Sequence, residues 1–332
     1  MLSTRSFLSL ALSLALAIGA SVDVLPARSA EAPVEKPDPR QREYERLLGL
    51  AQRPPAPALE TAGPAGVTAR DMTFESKTLG RKMRYRALLP ASYGRSHRHY
   101  PVLYMLHGYM NASHEWDQQS QLARLLDRDR LDLIVVLPQF DNSFYLNANS
   151  DPKAMYMRYF FRDLLPEVET RFRARSEPPA RAIAGVSMGG YGAMLYGLRY
   201  PQAFSFVASF SGCLGMMQKP EDLAQALQPF DLMRIVGPAD STTREANDPI
   251  RLIGAVDVKA LPPIWITCGT QDYLFEQNLD FVKVAAEREA PMTFVTGPGQ
   301  HEWVFWDAQL PSMFAALRTA MGVELDDTRL LE

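Results

Sequence analysis

The residue types that could perform chemistry begin with a serine between glycines. Gly185–Gly189 has the pattern G-x-S-x-G, with Ser187 at its centre and a further glycine, Gly190, directly behind it. An apolar run, Ala182–Ala184, precedes this motif, and a helix-like run, Tyr191–Tyr200, follows it. A strand, a sharp turn and a helix form the setting in which such a serine is exposed as a nucleophile. We therefore predict that Ser187 attacks an electrophilic carbon.

A serine hydroxyl is a poor nucleophile until a base removes its proton, and an imidazole can do so near neutral pH. His301 is the only histidine after Ser187, and it follows the predicted strand Met292–Thr296. Asp272 follows the predicted strand Pro263–Cys268, and a buried carboxylate there would hold the imidazole in the correct tautomer. The chain order Ser, Asp, His is one in which such triads occur. The sequence therefore predicts a catalytic triad of these three residues.

Each member of the predicted triad has a structural alternative. Ser187 could be a turn serine between glycines, and His301 could lie in a surface loop after a turn-forming run. Asp272 could cap the helix that follows it. Asp280, Glu276 and Asp307 compete for the role of the acid. Asp272 is preferred because it lies right after a strand, whereas Asp280 falls inside the next helix and Asp307 is too near His301 in sequence.

The same chemistry needs two backbone N–H groups that stabilise the negatively charged oxygen of the intermediate. Met188 follows the nucleophile at the start of a helix and supplies one of them. The second is expected in the loop after an earlier buried strand. In that loop Gly108 permits close approach of the backbone, and Tyr109 is the preferred donor. His107 precedes Ser187, and we interpret it as a brace of the loop rather than as the base.

The elements that must position these residues alternate along the chain from Val67 onward. Two strands, Met72–Thr78 and Lys82–Leu89, are predicted to form an antiparallel hairpin. Further buried strands are predicted at Pro101–Leu106, Leu131–Leu137, Arg181–Gly185, Ala203–Phe210, Pro263–Cys268 and Met292–Thr296. Helical spacing occurs between and after them at Glu115–Leu126, Pro152–Phe172, Tyr191–Tyr200, Leu274–Arg288 and Ala308–Met321. This alternation predicts an α/β fold with a mostly parallel central sheet and helices on both faces.

Four stretches of the chain together carry a resemblance to a known family. They are Leu103–Gly108, Gly185–Gly190, Cys268–Asp272 and Gly299–Trp303. The chain resembles the putative-esterase family of α/β-hydrolases, which includes tributyrin-type esterases, feruloyl esterases, S-formylglutathione hydrolases and the antigen 85 mycolyltransferases. The resemblance implies an α/β-hydrolase fold and a serine hydrolase that needs no cofactor.

The resemblance also implies what such an enzyme would act on. A small or medium carboxylic ester, such as an acylated sugar or a feruloyl ester, would be hydrolysed through an acyl-enzyme. An acyltransferase with the same triad is the alternative, and a non-catalytic binding protein on the same fold is a second one. The family suggests aromatic residues near the acyl group, and the candidates for the substrate pocket are Gly108, Tyr109, Tyr145, Trp303 and Trp306.

Composition and charge bound the other function classes. A net charge of −3 gives no electrostatic case for binding nucleic acid or an anionic membrane surface. The five histidines show no metal-ligand spacing, so no metal site is expected. Cys213 and Cys268 are expected to be buried free thiols, although a disulfide between them stays open.

The chain divides into segments of different character. Residues 1–29 are typical of a secretory signal peptide, with Arg5, an apolar run at Phe7–Ala20 and a cleavage pattern at Ala27–Ser29. Residues 30–66 are predicted to be a Pro-rich linker or arm, 67–322 the catalytic domain and 323–332 a tail. Within the domain, residues 214–256 are a possible lid or an insertion over one edge of the sheet, with a helix predicted at Glu221–Leu227. We therefore expect an exported protein, periplasmic or secreted, without a membrane span in its mature chain.

Overall fold

An eight-stranded sheet runs through the residues that the computed structural model describes, 66–218, 229–238 and 241–323. Its strands are β1 (Thr68–Ser76), β2 (Arg81–Leu89), β3 (Val102–Leu106), β4 (Ile134–Pro138), β5 (Arg181–Val186), β6 (Phe206–Phe210), β7 (Ile264–Gly269) and β8 (Met292–Gly297). They lie in the order β1-β2-β4-β3-β5-β6-β7-β8. The β1–β2 and β2–β4 pairings are antiparallel, and all the other pairings are parallel. The predicted α/β class is confirmed.

The first two strands form the predicted antiparallel hairpin. Thr68 pairs with Leu89 at its open end and Ser76 with Arg81 next to the turn. In β2 the side chains of Met83, Tyr85 and Ala87 are buried, as the alternation of apolar and basic residues predicts. The inner strands β3 to β7 are buried along their whole lengths, because helices cover both faces of the sheet.

The helices of the described residues lie in two layers. They are α1 (Glu115–Gln118), α2 (Leu122–Arg128), α3 (Tyr156–Tyr159), α4 (Leu165–Arg171), α5 (Met188–Arg199), α6 (Pro229–Val236), α7 (Thr242–Ala246), α8 (Pro249–Ala255), α9 (Phe275–Glu287) and α10 (Trp303–Met321), with a π-helical turn, Phe160–Leu164, joining α3 to α4. One hydrophobic cluster combines α3, α4, α5, α8 and α9 with one face of the sheet. A second cluster combines α1, α2 and α10 with the opposite face.

The predicted helix at Glu115–Leu126 is two short helices instead of one. Side-chain hydrogen bonds replace the helical ones at the break. The Ser120 hydroxyl donates to Asp307 Oδ1 at 2.6 Å and accepts the Leu122 N–H at 3.1 Å. The Gln121 N–H also donates to the Asp307 carboxylate. This interruption ties α1 and α2 to α10, a contact that local periodicity does not encode.

For the section from residue 214 to 256, the lid or insertion stays a prediction, and its described part includes residues that pack in the hydrophobic cluster on one face of the sheet. Its α8 packs against α5, the helix that follows Ser187, and against α9. The Tyr191 hydroxyl donates to the Asn247 backbone oxygen at 2.7 Å, and an Arg199 N–H donates to Asn247 Oδ1 at 2.8 Å. This part of the section is therefore a component of one helical layer. The helix predicted at Glu221–Leu227 lies outside the described residues.

Other segment predictions fall partly or wholly outside the described residues. They concern the signal peptide at residues 1–29, the linker up to residue 65 and the tail from residue 324. Within the described residues, Cys213 and Cys268 are buried free thiols. No helix in that part of the chain is both long enough and apolar enough to cross a bilayer.

Candidate active site

Ser187 occupies the turn between β5 and α5. Its backbone has φ 56° and ψ −116°, a conformation that costs a residue with a side chain about 1–3 kcal/mol. The Ser187 N–H donates to Phe210 O at 2.9 Å, and the Ser187 carbonyl accepts the Tyr191 N–H at 3.0 Å. These bonds to β6 and α5 hold the turn in place. The half-buried side chain lies at the carboxyl edge, by which we mean the edge formed by the carboxyl ends of the parallel strands.

The turn packs directly against the loop that follows β3. A Cβ atom placed on Gly189 would lie 2.4 Å from Leu106 O and 2.8 Å from His107 O, closer than real Cβ atoms approach backbone. Only glycine permits this packing. The nucleophile candidate is therefore held beside the loop in which the second N–H donor is predicted.

Asp272 and His301 form a hydrogen-bonded pair. His301 Nδ1 lies 2.9 Å from Asp272 Oδ2 and 3.1 Å from Oδ1, and the Asp272 side chain is fully buried. Burial alone would raise the pKa of Asp272, but the His301 ring and the Leu274 N–H hold this pKa below its ordinary value. The carboxylate is therefore ionised and accepts the Nδ1 proton, so that Nε2 can act as a base.

Asp272 contacts His301 as the predicted triad requires, and it does not cap the following helix as the structural alternative would have it. The N-cap of α9 is Leu274, and Asp272 Oδ1 accepts the Leu274 N–H at 2.9 Å in the turn that precedes the helix. The competing acids are placed elsewhere. Asp280 forms an ion pair with Lys283 on α9, and Asp307 is bonded to the α1–α2 junction.

Backbone hydrogen bonds join the loops that carry this pair. The Thr270 N–H donates to Gly297 O at 2.9 Å, and the Gln271 N–H donates to Gly299 O at 3.0 Å. A Cβ atom on Gly269 would lie 2.3 Å from Gly299 O, so the two chains cross in close contact. We call residues 269–272 and 297–301 the acid–base loops. Because they are bonded to each other, the Asp272–His301 distance is fixed by the backbone.

Two aromatic rings enclose the His301 imidazole. The Trp306 ring lies 4.8 Å away and perpendicular to it, and the Trp306 indole N–H donates to Ser211 Oγ at 2.9 Å. The Tyr273 ring lies 4.7 Å away on the exposed side. The Tyr273 hydroxyl interacts with the Ser187 side chain, and partial burial raises the pKa of Tyr273 to about 12. Sequence reasoning missed Tyr273, although its place directly after Asp272 could have indicated it.

The loop after β3 is held by two buried side chains. His107 Nδ1 donates to Gly108 O at 2.8 Å, and His107 Nε2 accepts the Phe140 N–H at 3.0 Å. Burial lowers the pKa of His107 to about 4, so the ring is neutral near pH 7. The Gly108 N–H donates to Glu115 Oε2 at 2.7 Å. Since that N–H is engaged, the geometry favours the next one, of Tyr109, as the oxyanion donor.

The predicted pocket aromatics have mixed positions. Tyr145 is fully buried and therefore does not face a ligand. Its hydroxyl donates to His107 O at 2.7 Å and supports the loop from beneath. Trp306 is also buried, and Trp303 is half-buried between Trp306 and Trp116. Trp306 therefore supports His301 from the side of the protein core, and Trp303 packs behind Trp306.

Glu115 is a buried carboxyl that sequence reasoning assigned only to a helix. Burial raises its pKa to about 7 from 4.5, against the lowering effect of the Gly108 N–H and of Asn111. The folded protein therefore binds a proton at Glu115 more tightly than the unfolded chain does. It follows that the free energy of unfolding falls as pH rises from about 4.5 to 7, and the loss is complete above the folded pKa.

Replacing Glu115 with glutamine should remove this part of the pH dependence. The amide oxygen can still accept the Gly108 N–H, so the loop keeps its shape. Relative to the wild type, the variant should gain up to about 2–3 kcal/mol of unfolding free energy between pH 5 and pH 8. Urea unfolding at both pH values measures this. Glu287→Gln, an exposed change on α9, is the control, and equal pH dependence in all three proteins would contradict the expectation.

Comparison with known proteins identifies similar sequences. Residues 76–317 match the family described as "Putative esterase". An acetyl esterase of Caldicellulosiruptor saccharolyticus is 26% identical over 220 residues, which is 64% of this chain and 81% of that protein. An esterase of Mycobacterium tuberculosis is 33% identical over 147 residues, 42% of this chain and 31% of that protein.

Solved structures show the same similarity. A fluorophosphonate-binding serine hydrolase of Staphylococcus aureus superposes with a TM-score of 0.68 at 25% identity, covering 76% of this chain and 99% of that one. The S-formylglutathione hydrolase of the same organism has a TM-score of 0.67, also at 25% identity, with the same coverage.

Proposed function

The chain belongs to the Putative esterase family and is a carboxylic ester hydrolase. We propose that it hydrolyses its substrate through a Ser187–His301–Asp272 triad and an acyl-enzyme. The observation that carries the proposal is the His301–Asp272 pair, with 2.9 Å between Nδ1 and Oδ2. This pair lies at the same carboxyl edge as the strained turn that presents Ser187. The proposal is supported by the position of these three side chains at one edge of the sheet, where they could serve as nucleophile, base and orienting group.

In the first half of the reaction, Ser187 Oγ attacks the ester carbonyl carbon while His301 Nε2 takes the hydroxyl proton. The carbonyl π electrons move to the oxygen, and the Met188 and Tyr109 N–H groups stabilise the resulting negative charge. Asp272 stabilises the imidazolium. When the carbonyl re-forms, the C–O bond to the alcohol breaks and His301 donates its proton to the leaving oxygen.

In the second half, a water molecule takes the place of the alcohol. His301 removes a proton from the water, which attacks the acyl carbon, and the Ser187–acyl bond breaks with return of the proton to Oγ. The acid is released and the enzyme is regenerated. The sequence of steps requires no cofactor.

The described surface around the site supports a small or medium ester as substrate. Met110, Tyr273 and Val304 are large apolar side chains that are at least two-thirds exposed. Each lies within three residues of Tyr109, Asp272 or His301. Exposed apolar side chains on the loops that carry the proposed site residues fit the acyl part of an ester. The similarity to an acetyl esterase favours a short acyl group.

Labelling with a fluorophosphonate probe tests the proposed nucleophile. The phosphorus should bond to Ser187 Oγ with loss of fluoride, because His301 activates that hydroxyl alone among the serines. The measurement is peptide mass spectrometry of the folded, labelled protein, with heat-unfolded protein as the control. A folded protein that hydrolyses p-nitrophenyl acetate but carries the label on another serine would overturn the assignment.

A further inference from the structure

A polar cavity outside the triad lies at the carboxyl edge of the sheet. It has a volume of about 480 Å³, and its walls include Arg81, Asp141, Asn142, Asp151, Lys153 and Arg234. We call it the Arg81 cavity. Its size falls in the range of small-molecule binding sites. The mechanism above uses none of these residues.

The register of the sheet places the Arg81 cavity on the same edge as Ser187. Arg81 begins β2, which runs antiparallel to β4 with Tyr85 opposite Pro138. Arg81 therefore lies beyond the carboxyl end of β4. In the strand order β2-β4-β3-β5, the strand that begins with Arg81 lies three strand spacings, or about 14 Å, from the strand that precedes Ser187.

The loop with the oxyanion donor lies between the nucleophile and the cavity and is bonded to the cavity wall. The Met110 N–H donates to Asn142 Oδ1 at 2.7 Å, and Asn142 lines the cavity. Met110 itself directly follows Tyr109. An ester whose carbonyl oxygen lies at the Tyr109 N–H can therefore extend across Met110 until its remote part reaches the Arg81 cavity.

Hydrogen bonds within the protein hold the wall of the Arg81 cavity in one arrangement. The Asp141 carboxylate accepts hydrogen bonds from the Arg81 guanidinium, the Tyr156 hydroxyl and the Gln139 amide. The backbone of Asp141 has φ 48°, and Phe144 and Tyr145 in the same loop also have positive φ values. Non-glycine residues keep such conformations where the surrounding structure enforces them, and they cluster at ligand sites.

Within the described part of the chain, the ion pairs of the cavity wall involve four of its five charged side chains. Asp141 is paired with Arg81, and Asp151 is paired with Arg234 at 2.9 Å. Asp151 also accepts the backbone N–H of Lys153 at 3.0 Å, which fixes the position of that residue. Among the described residues, the Lys153 ammonium has no ion-pair partner. The wall therefore carries a net charge of about +1 at neutral pH, which favours an anionic group.

We propose that the Arg81 cavity binds a carboxylate on the hydroxylated alcohol part of the ester, as in an acetylated sugar acid, with Lys153 as its counterion. This inference rests on the proposed esterase function and adds a substrate class to it. Asn142 and the paired arginines supply donors for the sugar hydroxyls. The carboxylate gains a charge-assisted hydrogen bond from the exposed Lys153 ammonium at the wall of the cavity.

The test compares two acetyl esters that differ in one group, namely disaccharides acetylated at the same hydroxyl of the near ring, whose far ring is a glucoside or a glucuronoside. The wild type should show a kcat/KM about five to ten times higher for the glucuronoside. Lys153→Gln should abolish this preference through KM, with kcat and p-nitrophenyl acetate hydrolysis unchanged. Lys283→Gln, which removes the same charge on α9, should keep the preference. Raising the salt concentration should weaken the preference, because it screens the ion pair.

The possible results separate this inference from the proposed function. An enzyme that hydrolyses p-nitrophenyl acetate but handles both sugar esters equally would overturn the carboxylate site alone. So would a preference that survives in Lys153→Gln. A folded protein without activity on p-nitrophenyl acetate or either sugar ester would instead contradict the proposed function.

Discussion

Replacing Ser187 with alanine is expected to abolish ester hydrolysis while leaving the fold intact. The change removes the only atom that forms the acyl bond, so no partial reaction through the same intermediate remains. Residual turnover should therefore be at least about 10⁴-fold below that of the wild type. The free energy of unfolding should stay within about 1 kcal/mol, since one half-buried hydroxyl is lost.

The measurement is p-nitrophenyl acetate hydrolysis together with thermal unfolding. Ser205→Ala is the matched control, because Ser205 is also half-buried and its hydroxyl donates to a backbone oxygen, that of Arg181. This control should keep full activity. Turnover above one per cent in a homogeneous Ser187→Ala preparation would show that another group is the nucleophile.

Replacing Asp272 with asparagine should lower kcat by about 10³- to 10⁴-fold with little change in KM. The asparagine amide can donate a hydrogen bond to His301 Nδ1, which leaves the proton on Nε2 and blocks transfer from Ser187. The side-chain oxygen of asparagine can still accept the Leu274 N–H that Asp272 Oδ1 now accepts. The local fold is therefore kept, and the loss reports on the imidazole tautomer.

Steady-state kinetics of Asp272→Asn and Asp280→Asn distinguish the two candidate acids. Asp280 lies on α9 in an exposed ion pair with Lys283, so its replacement should leave kcat within about twofold of the wild type. A large loss in Asp280→Asn, or near wild-type kcat in Asp272→Asn, would transfer the role of the acid to another residue.

The strands and the family could be predicted because their signals are local. Runs such as Leu103–Leu106 and Ala182–Ala184 are apolar throughout, since both faces of these strands are covered. The glycines of the serine turn follow from close packing of the backbone, which leaves a fixed pattern in the sequence. The α/β-hydrolase fold and the ester hydrolase class are confirmed, whereas the roles of individual site residues stay predictions.

The contacts around the site could not be predicted because they depend on where side chains of separate elements meet. Glu115 has the composition of an ordinary helix start, yet its side chain turns inward to the Gly108 N–H. Tyr145 lies in a polar loop in the sequence, and its burial becomes evident only from the packing of that loop on α5. The position of α8 against α5 is likewise a tertiary result, because its amphipathic pattern does not specify a partner.

The hydrogen bonds between the acid–base loops affect how mutation can change the substrate specificity of such an enzyme. They belong to the adjacent strands β7 and β8, whereas the nucleophile turn belongs to β5 and the Arg81 cavity to the region around β2 and β4. Backbone bonds, rather than contacts with the substrate-facing loops, fix the Asp272–His301 distance. Mutation around the cavity can therefore alter the alcohol that is recognised while the proton-transfer geometry is inherited unchanged. The fold thus places the acid–base pair and the residues that would recognise the alcohol on different strands.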